Sequence, residues 1–313
     1  MELMFVLLLV GGPMLLVGGL IGLWRGEAKV RSALAATLGS LWTALLAYVF
    51  FFWTPPSKGR VLRVNNRAQL ADRAIGDGWN GSAPTIETAQ LRPSERAVLG
   101  ELWHLSARME HASVAAFAKL SLRLVELGAP ASLVQRAHAA ALDEVRHATA
   151  CFDVAGQLTG KRWTAGPLRA LSGAVRPRRT RQEALDALAA GSLRDGAFAE
   201  GLAARTAERA SAFASDPALA ALLKVISQEE RAHAELGWDI VCWCLREGAK
   251  IGVLEAVMSG LAQADGALPP IVGVSEAVLK THGVLPQRLL GRLRAQTLQH
   301  AEARLAELSS MAA

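Results

Sequence analysis

Cysteine is scarce in this 313-residue chain, where Cys151, Cys242 and Cys244 are all there is. The last two stand two apart on an expected helix and point in different directions, and Cys151 is remote in sequence. Neither a disulfide framework nor a CxxC metal knuckle follows. Tyrosine occurs once, at Tyr48, and no glycine-rich fingerprint for a flavin or nicotinamide dinucleotide is present. No strand pattern of any length competes with the helical one, so the part beyond residue 91 is expected to be all-α. The net charge of +6 is spread thinly apart from RPRRTR at 176–181, and no aromatic residues interleave with those arginines. That excludes a nucleic-acid surface and leaves a solvated loop able to touch anionic lipid headgroups.

Apolar residues, by contrast, make up 51% of the chain. Residues 3–24 and 32–53 are two uncharged runs of 22 residues each, long enough as helices to cross a hydrocarbon core of about 30 Å. Trp24, Trp42, Tyr48 and Trp53 include aromatics near the run ends, where amphipathic rings settle at a membrane interface. A cleaved signal peptide fits poorly, because no basic segment precedes the first run and a second follows directly. Residues 1–53 therefore read as a transmembrane hairpin, which makes the membrane a partner and an integral, bacterial inner-membrane location the expectation. Lys58, Arg60, Arg63 and Arg67 after the second run outnumber Arg25, Lys29 and Arg31 between the runs. By the positive-inside rule this favours a cytoplasmic C-terminal domain.

Residues 54–91 are polar and broken by Gly and Pro, and read as a linker with a short extended piece at GRVLRV. Beyond them the composition turns to Ala, Leu, Arg and Glu, strong helix formers. Residues 92–248 are expected to hold four helices, near 94–127, 130–157, 181–213 and 217–247. Gly128 closes the first, Asp216 and Pro217 start the fourth, and Gly248 ends it. A long crossover rich in Gly, Pro and Arg separates the second helix from the third. Residues 249–313 add a C-terminal extension with helices near 250–264 and 285–309.

Two pairs carry chemistry. Glu144 and His147 are three residues apart, as are Glu230 and His233, and on a helix such pairs share a face. Glu110 and Glu144 lie 17 residues either side of the turn at 127, and Glu200 and Glu230 lie 15 either side of the turn at 215. In antiparallel hairpins each pair shares one depth, roughly 23 to 26 Å from its turn at about 1.5 Å per residue. Each hairpin thus offers one Glu from its first helix and a Glu-x-x-His from its second. Buried together, four carboxylates would repel one another, whereas two divalent ions would cancel their charge. Glu101 and His104 share the spacing, but Glu101 lies about half a turn off the face of Glu110. They read as structural.

EHASVAAF, DEVRHA, Glu200 and EERAHAELGW resemble the ferritin-like superfamily of di-iron carboxylate proteins. The run at 143–147 is similar to that of bacterial multicomponent monooxygenases, acyl carrier protein desaturases and the ribonucleotide reductase small subunit. The stretch 92–247 as a whole resembles bacterial ferritin-like domain proteins of unassigned activity. The resemblance implies a ferritin-like four-helix bundle whose ligands are Glu110, Glu144, His147, Glu200, Glu230 and His233. Asp143 and Glu229 would then accept hydrogen bonds from the imidazoles.

Such a ligand set suits two iron ions, or manganese. Three functions stay open: an oxidase or oxygenase that activates O2, a ferroxidase-type iron-handling protein, and a non-catalytic bundle held together by metal. A membrane anchor favours an apolar or membrane-associated substrate for the first. Tyr48 lies in the second apolar run, which argues against a tyrosyl radical beside the metals. Trp103 and Trp238 read as core residues rather than electron carriers. With no rubredoxin-like cysteines and no flavin motif, electrons would have to come from an external donor protein.

Overall fold

The computed structural model describes residues 59–64, 67–81, 83–168, 180–264 and 271–312, all within the unit Pro56–Ala313. The two apolar runs at 3–24 and 32–53, and most of RPRRTR, lie outside the described residues. Among the described residues no helix is long and apolar enough to cross a membrane.

The described chain is mainly helical. Helix α1, Pro93–Glu126, begins with a proline whose fixed φ suits a first turn. Glu95 reaches back there to accept hydrogen bonds from the backbone and guanidinium of Arg92. Gly128, at φ +73°, turns the chain after α1, and Ala129 donates to the Leu124 carbonyl at 2.9 Å. Helix α2, Ala131–Thr159, follows Pro130, ends at the left-handed Gly160 and packs along α1 as a hairpin.

The helix expected over 181–213 is real at both ends but interrupted. It comprises α3, Arg181–Gly191, a π-helical segment, Ser192–Phe198, and α4, Ala199–Phe213. Thr180 and Glu183 cap α3 reciprocally. The π segment lies against Gly237 of helix α5, Pro217–Arg246, so closely that a Cβ on Gly237 would stand 2.4 Å from the backbone nitrogen of Ala197. Asp216 caps α5 by accepting from the backbone nitrogens of Ala218 and Leu219 at 2.7 and 3.2 Å. Helices α3, α4 and α5 with the π segment make the second hairpin. Helix α6, Ile251–Gln263, the short α7, Glu276–Thr281, and α8, Gln287–Ala312, complete the chain. Ala301 and Leu305 of α8 pack into the core.

Four short strands form two antiparallel pairs: β1, Arg63–Val64, with β2, Arg67–Ala68, and β3, Arg73–Ile75, with β4, Trp163–Ala165. The stretch read as a linker is therefore tied down. Beyond the β3–β4 pairing, Asp153 accepts from the backbone of Gly81 and Ala83, Gln157 from Ile86, and Asp216 from Glu87.

The apolar core is in two main parts. One gathers Phe117, Leu124, Leu133, Leu185, Leu236 and Ile240 near the Gly128 turn. The other gathers Leu99, Trp103, Phe152, Leu158, Leu219 and Leu223 at the opposite end of the first hairpin. Each such side chain, fully buried, contributes about 1.5–3 kcal/mol. Between the two parts, the inward stripe of both hairpins changes from aliphatic to acidic.

Candidate metal centre

The acidic band consists of Glu110 from α1, Glu144 and His147 from α2, Glu200 from the first turn of α4, and Glu230 and His233 from α5. Every one is buried, Glu144 and Glu200 completely and Glu110, the most accessible, at 5%. Their ligand atoms form two groups, Glu110, Glu144, His147 and Glu230, and Glu144, Glu200, Glu230 and His233. Within each group the atoms lie within 4.8 Å of one another. Glu144 and Glu230 belong to both.

The shared carboxylates are divided evenly. Glu144 turns Oε2 to His147 Nδ1 at 3.6 Å and Oε1 to His233 Nδ1 at 3.3 Å. Glu230 turns Oε1 to His147 Nδ1 and Oε2 to His233 Nδ1, both at 3.6 Å. None of these contacts makes a hydrogen bond. Seven atoms of the six residues are buried with no hydrogen-bond partner: Glu110 Oε2, both oxygens of Glu144, Glu200 Oε2, Glu230 Oε2 and both Nδ1 atoms. Buried polar atoms are almost always satisfied, and so many orphans facing one point are atoms that a bound cation would satisfy. Oxygen and imidazole nitrogen donors at these separations fit one, and this buried group can hold a metal ion.

The outer nitrogens explain why the Nδ1 atoms point inward. His147 Nε2 donates to Glu229 Oε2 at 2.7 Å, and His233 Nε2 donates to Asp143 Oδ2 at 3.0 Å. Arg146 bonds both acceptors, reaching Glu229 at 2.7 Å and Asp143 beside it. The bonds cross between hairpins, since each acid immediately before one Glu-x-x-His holds the histidine of the other.

Burial, and then the charges of their acidic neighbours, pushes Glu110 and Glu200 well above the usual carboxylate range. Burial would lower both imidazoles, but the carboxylates around them outweigh it and raise His147 and His233 well above the ordinary histidine value. Burial likewise opposes ionisation of Glu144, yet the two imidazoles hold it below its usual range. These directions favour protons held within the cluster when no cation is there, and a cation would compete with them.

Glu101 and His104 lie away from this cluster. Glu101 is exposed and receives two 2.6 Å bonds from Arg73. His104 is a core residue, its ring 4.3 Å from that of Trp163 and 5.8 Å from that of Phe152. Trp103 donates to the His282 carbonyl, and Trp238 is buried in the core. The three cysteines are free thiols and none joins the site.

Two neighbours of the site carry no sequence signal. Gly59, at φ +77°, lies against Glu200 so that a Cβ would come within 2.6 Å of Oε2. Arg60 donates its backbone N–H to Glu200 Oε1 at 2.9 Å, wholly buried. In the sequence the pair only opens GRVLRV, the short extended piece expected in the linker, and nothing there ties it to the site.

No family model matches this chain, and neither the curated proteins nor the solved structures gave a match.

Proposed function

We propose that this chain is a ferritin-like di-iron, or di-manganese, carboxylate protein. In this reading it uses electrons from an external donor protein to activate O2 and oxidise an apolar or membrane-associated substrate. The observation that carries the proposal is the pair of ligand groups sharing Glu144 and Glu230. Two sites joined by two common carboxylates suit two ions, and the charges of four Glu and two divalent cations then sum to zero. Mixed carboxylate and imidazole donors suit iron or manganese. When bound, two such ions supply two electrons to O2, one from each.

The chain's own residues set the conditions. Glu144 and Glu230 hold the two positions close together. Glu229 and Asp143 fix the tautomer and tilt of the imidazoles. The two apolar core parts keep bulk water from the buried band. The apolar runs at 3–24 and 32–53 support a membrane location, and with it a membrane-associated substrate.

A second reading, iron itself as substrate, is favoured by Asp143 and Glu229. Their side chains are 20% and 24% exposed while touching the imidazoles, an acidic path from solvent to the site.

Anaerobic full-length protein titrated with Fe(II) and then exposed to O2, followed by optical and Mössbauer spectroscopy, tests both readings. Two irons per chain and an oxygen-dependent conversion to the ferric state are expected. Fewer than two would overturn the proposal. Sustained oxidation of excess Fe(II) without reductant or organic substrate would select the iron-handling reading.

A further inference from the structure

Helices α4 and α8 lie side by side at Gly201 and Thr297, where a Cβ on the glycine would stand 3.7 Å from the threonine methyl. Beyond that contact a groove of about 540 Å³ opens between them, within the size range of small-ligand pockets. Arg205, Glu208 and Arg209 line it from α4 at spacings of three and four, so they share one helix face. Leu289, Arg292 and Leu293 line it from α8 in the same pattern. The two leucines also pack against the second part of the core, which gives the groove an apolar base.

Three guanidinium groups thus face one acid. Glu208 is the one acid among the described residues that line the groove, and it is paired with Arg231 of α5 at 3.1 Å. The side chains of Arg205, Arg209 and Arg292 have no hydrogen bond or ion pair among the described residues. Arg209 lies 4.8 Å from the ring centre of Phe213, a contact that holds its guanidinium beside the groove. A carboxylate is satisfied by a single guanidinium fork. A phosphate monoester presents three terminal oxygens and about two negative charges at neutral pH, and so can occupy several forks at once.

We propose that the groove between α4 and α8 binds a phosphate monoester, either a small soluble molecule or the head of a lipid. Arg205, Arg209 and Arg292 would take the phosphoryl oxygens, and the apolar part of the ligand would lie over Leu289 and Leu293. None of these residues is a candidate metal ligand, so the site stands or falls apart from the two-metal reading.

The test is isothermal titration calorimetry on the full-length protein in a neutral detergent. Phenyl phosphate and dioctanoyl phosphatidic acid are the probes for the two sources, with benzoate and neutral benzyl alcohol for comparison. One phosphate probe bound per chain is expected, with benzoate roughly tenfold weaker or worse and benzyl alcohol not bound. The tighter of the two phosphate probes identifies the source. Arg205→Gln and Arg292→Gln should each weaken that probe roughly tenfold, the cost of losing a hydrogen bond to a charged group. Arg246→Gln removes an exposed charge at the C-terminal end of α5 and should leave the affinity unchanged. Arg292 is exposed, so its variant carries the test should Arg205→Gln not fold. The proposal is overturned if neither phosphate probe binds, or if benzoate or benzyl alcohol binds as tightly. Undiminished affinity in a folded Arg205→Gln or Arg292→Gln overturns it too, as does an equal loss in Arg246→Gln.

Discussion

His147 donates its Nε2 hydrogen to Glu229 of the opposite hairpin at 2.7 Å, and His233 returns the relationship with Asp143. The imidazoles are thereby fixed with Nδ1 inward before any ion arrives. Glu229→Ala or Asp143→Ala should lower metal affinity about 10- to 100-fold, the usual cost of losing such a partner. Stoichiometry should stay the same. Competition against a chelator of known strength measures this, and an unchanged affinity would mean that the crossed bonds do not orient the rings.

The shared carboxylates predict unequal losses. Glu144→Gln or Glu230→Gln removes a ligand from both groups, whereas Glu110→Gln and Glu200→Gln each affect one. Elemental analysis should find close to no metal in the first pair and a single tightly held ion in the second. Equal losses in all four variants would contradict the bridging geometry.

Gly59 tests the strap over Glu200. Gly59→Val adds a Cβ 2.6 Å from Oε2 at a φ of +77°, a backbone conformation that costs a β-branched residue about 1–3 kcal/mol. Weaker loading, with helical circular dichroism preserved, is the expected result. Normal loading would show that the strap yields freely.

Glu110 sets the pH response of the metal-free protein. Burial raises its carboxyl above the ordinary range, so as pH rises the unfolded chain ionises first and stability falls. Glu110→Gln lacks this group and should be more stable than the wild type at pH 7, with the advantage disappearing as pH falls through the normal carboxylate range. Chelator-treated protein in denaturant titrations at several pH values provides the measurement.

His104 behaves oppositely. Burial, and then Arg73 and Arg108, lowers its pKa from 6.5 to about 4, so it stays neutral in the fold. Its contribution is intact above pH 6.5 and is lost as pH falls toward about 4, because the unfolded chain takes up the proton first. His104→Phe should flatten that part of the pH profile, and should be no less stable at neutral pH because the unpartnered Nε2 disappears.

The helices and the six candidate residues were legible for a physical reason. A Glu-x-x-His on one helix and a Glu at equal depth on its hairpin partner are local periodicities, and the Gly128 and Asp216-Pro217 turns supply the origin for counting. Counting back from Asp216 reaches Glu200 before the π segment begins, so that irregularity did no harm. What stayed hidden is non-local. Nothing in the pattern says that Glu229 faces His147 rather than its own His233, or that Arg60, 140 residues before Glu200, closes over it. Strand β4 and helix α7 were likewise missed, because a two- or three-residue pairing and a single helical stretch of six residues leave no periodic trace.

The π segment at Ser192–Phe198 acts as a phase adjuster. An α-helix turns about 100° per residue, so one extra residue in a turn offsets the face of α4 from that of α3 by about that angle. Excising a single residue between 192 and 198 would leave α4 and Glu200 in place, since the Asp216 turn anchors them, and would instead rotate α3, turning Leu185 and Leu188 away from the core with the helical content unchanged.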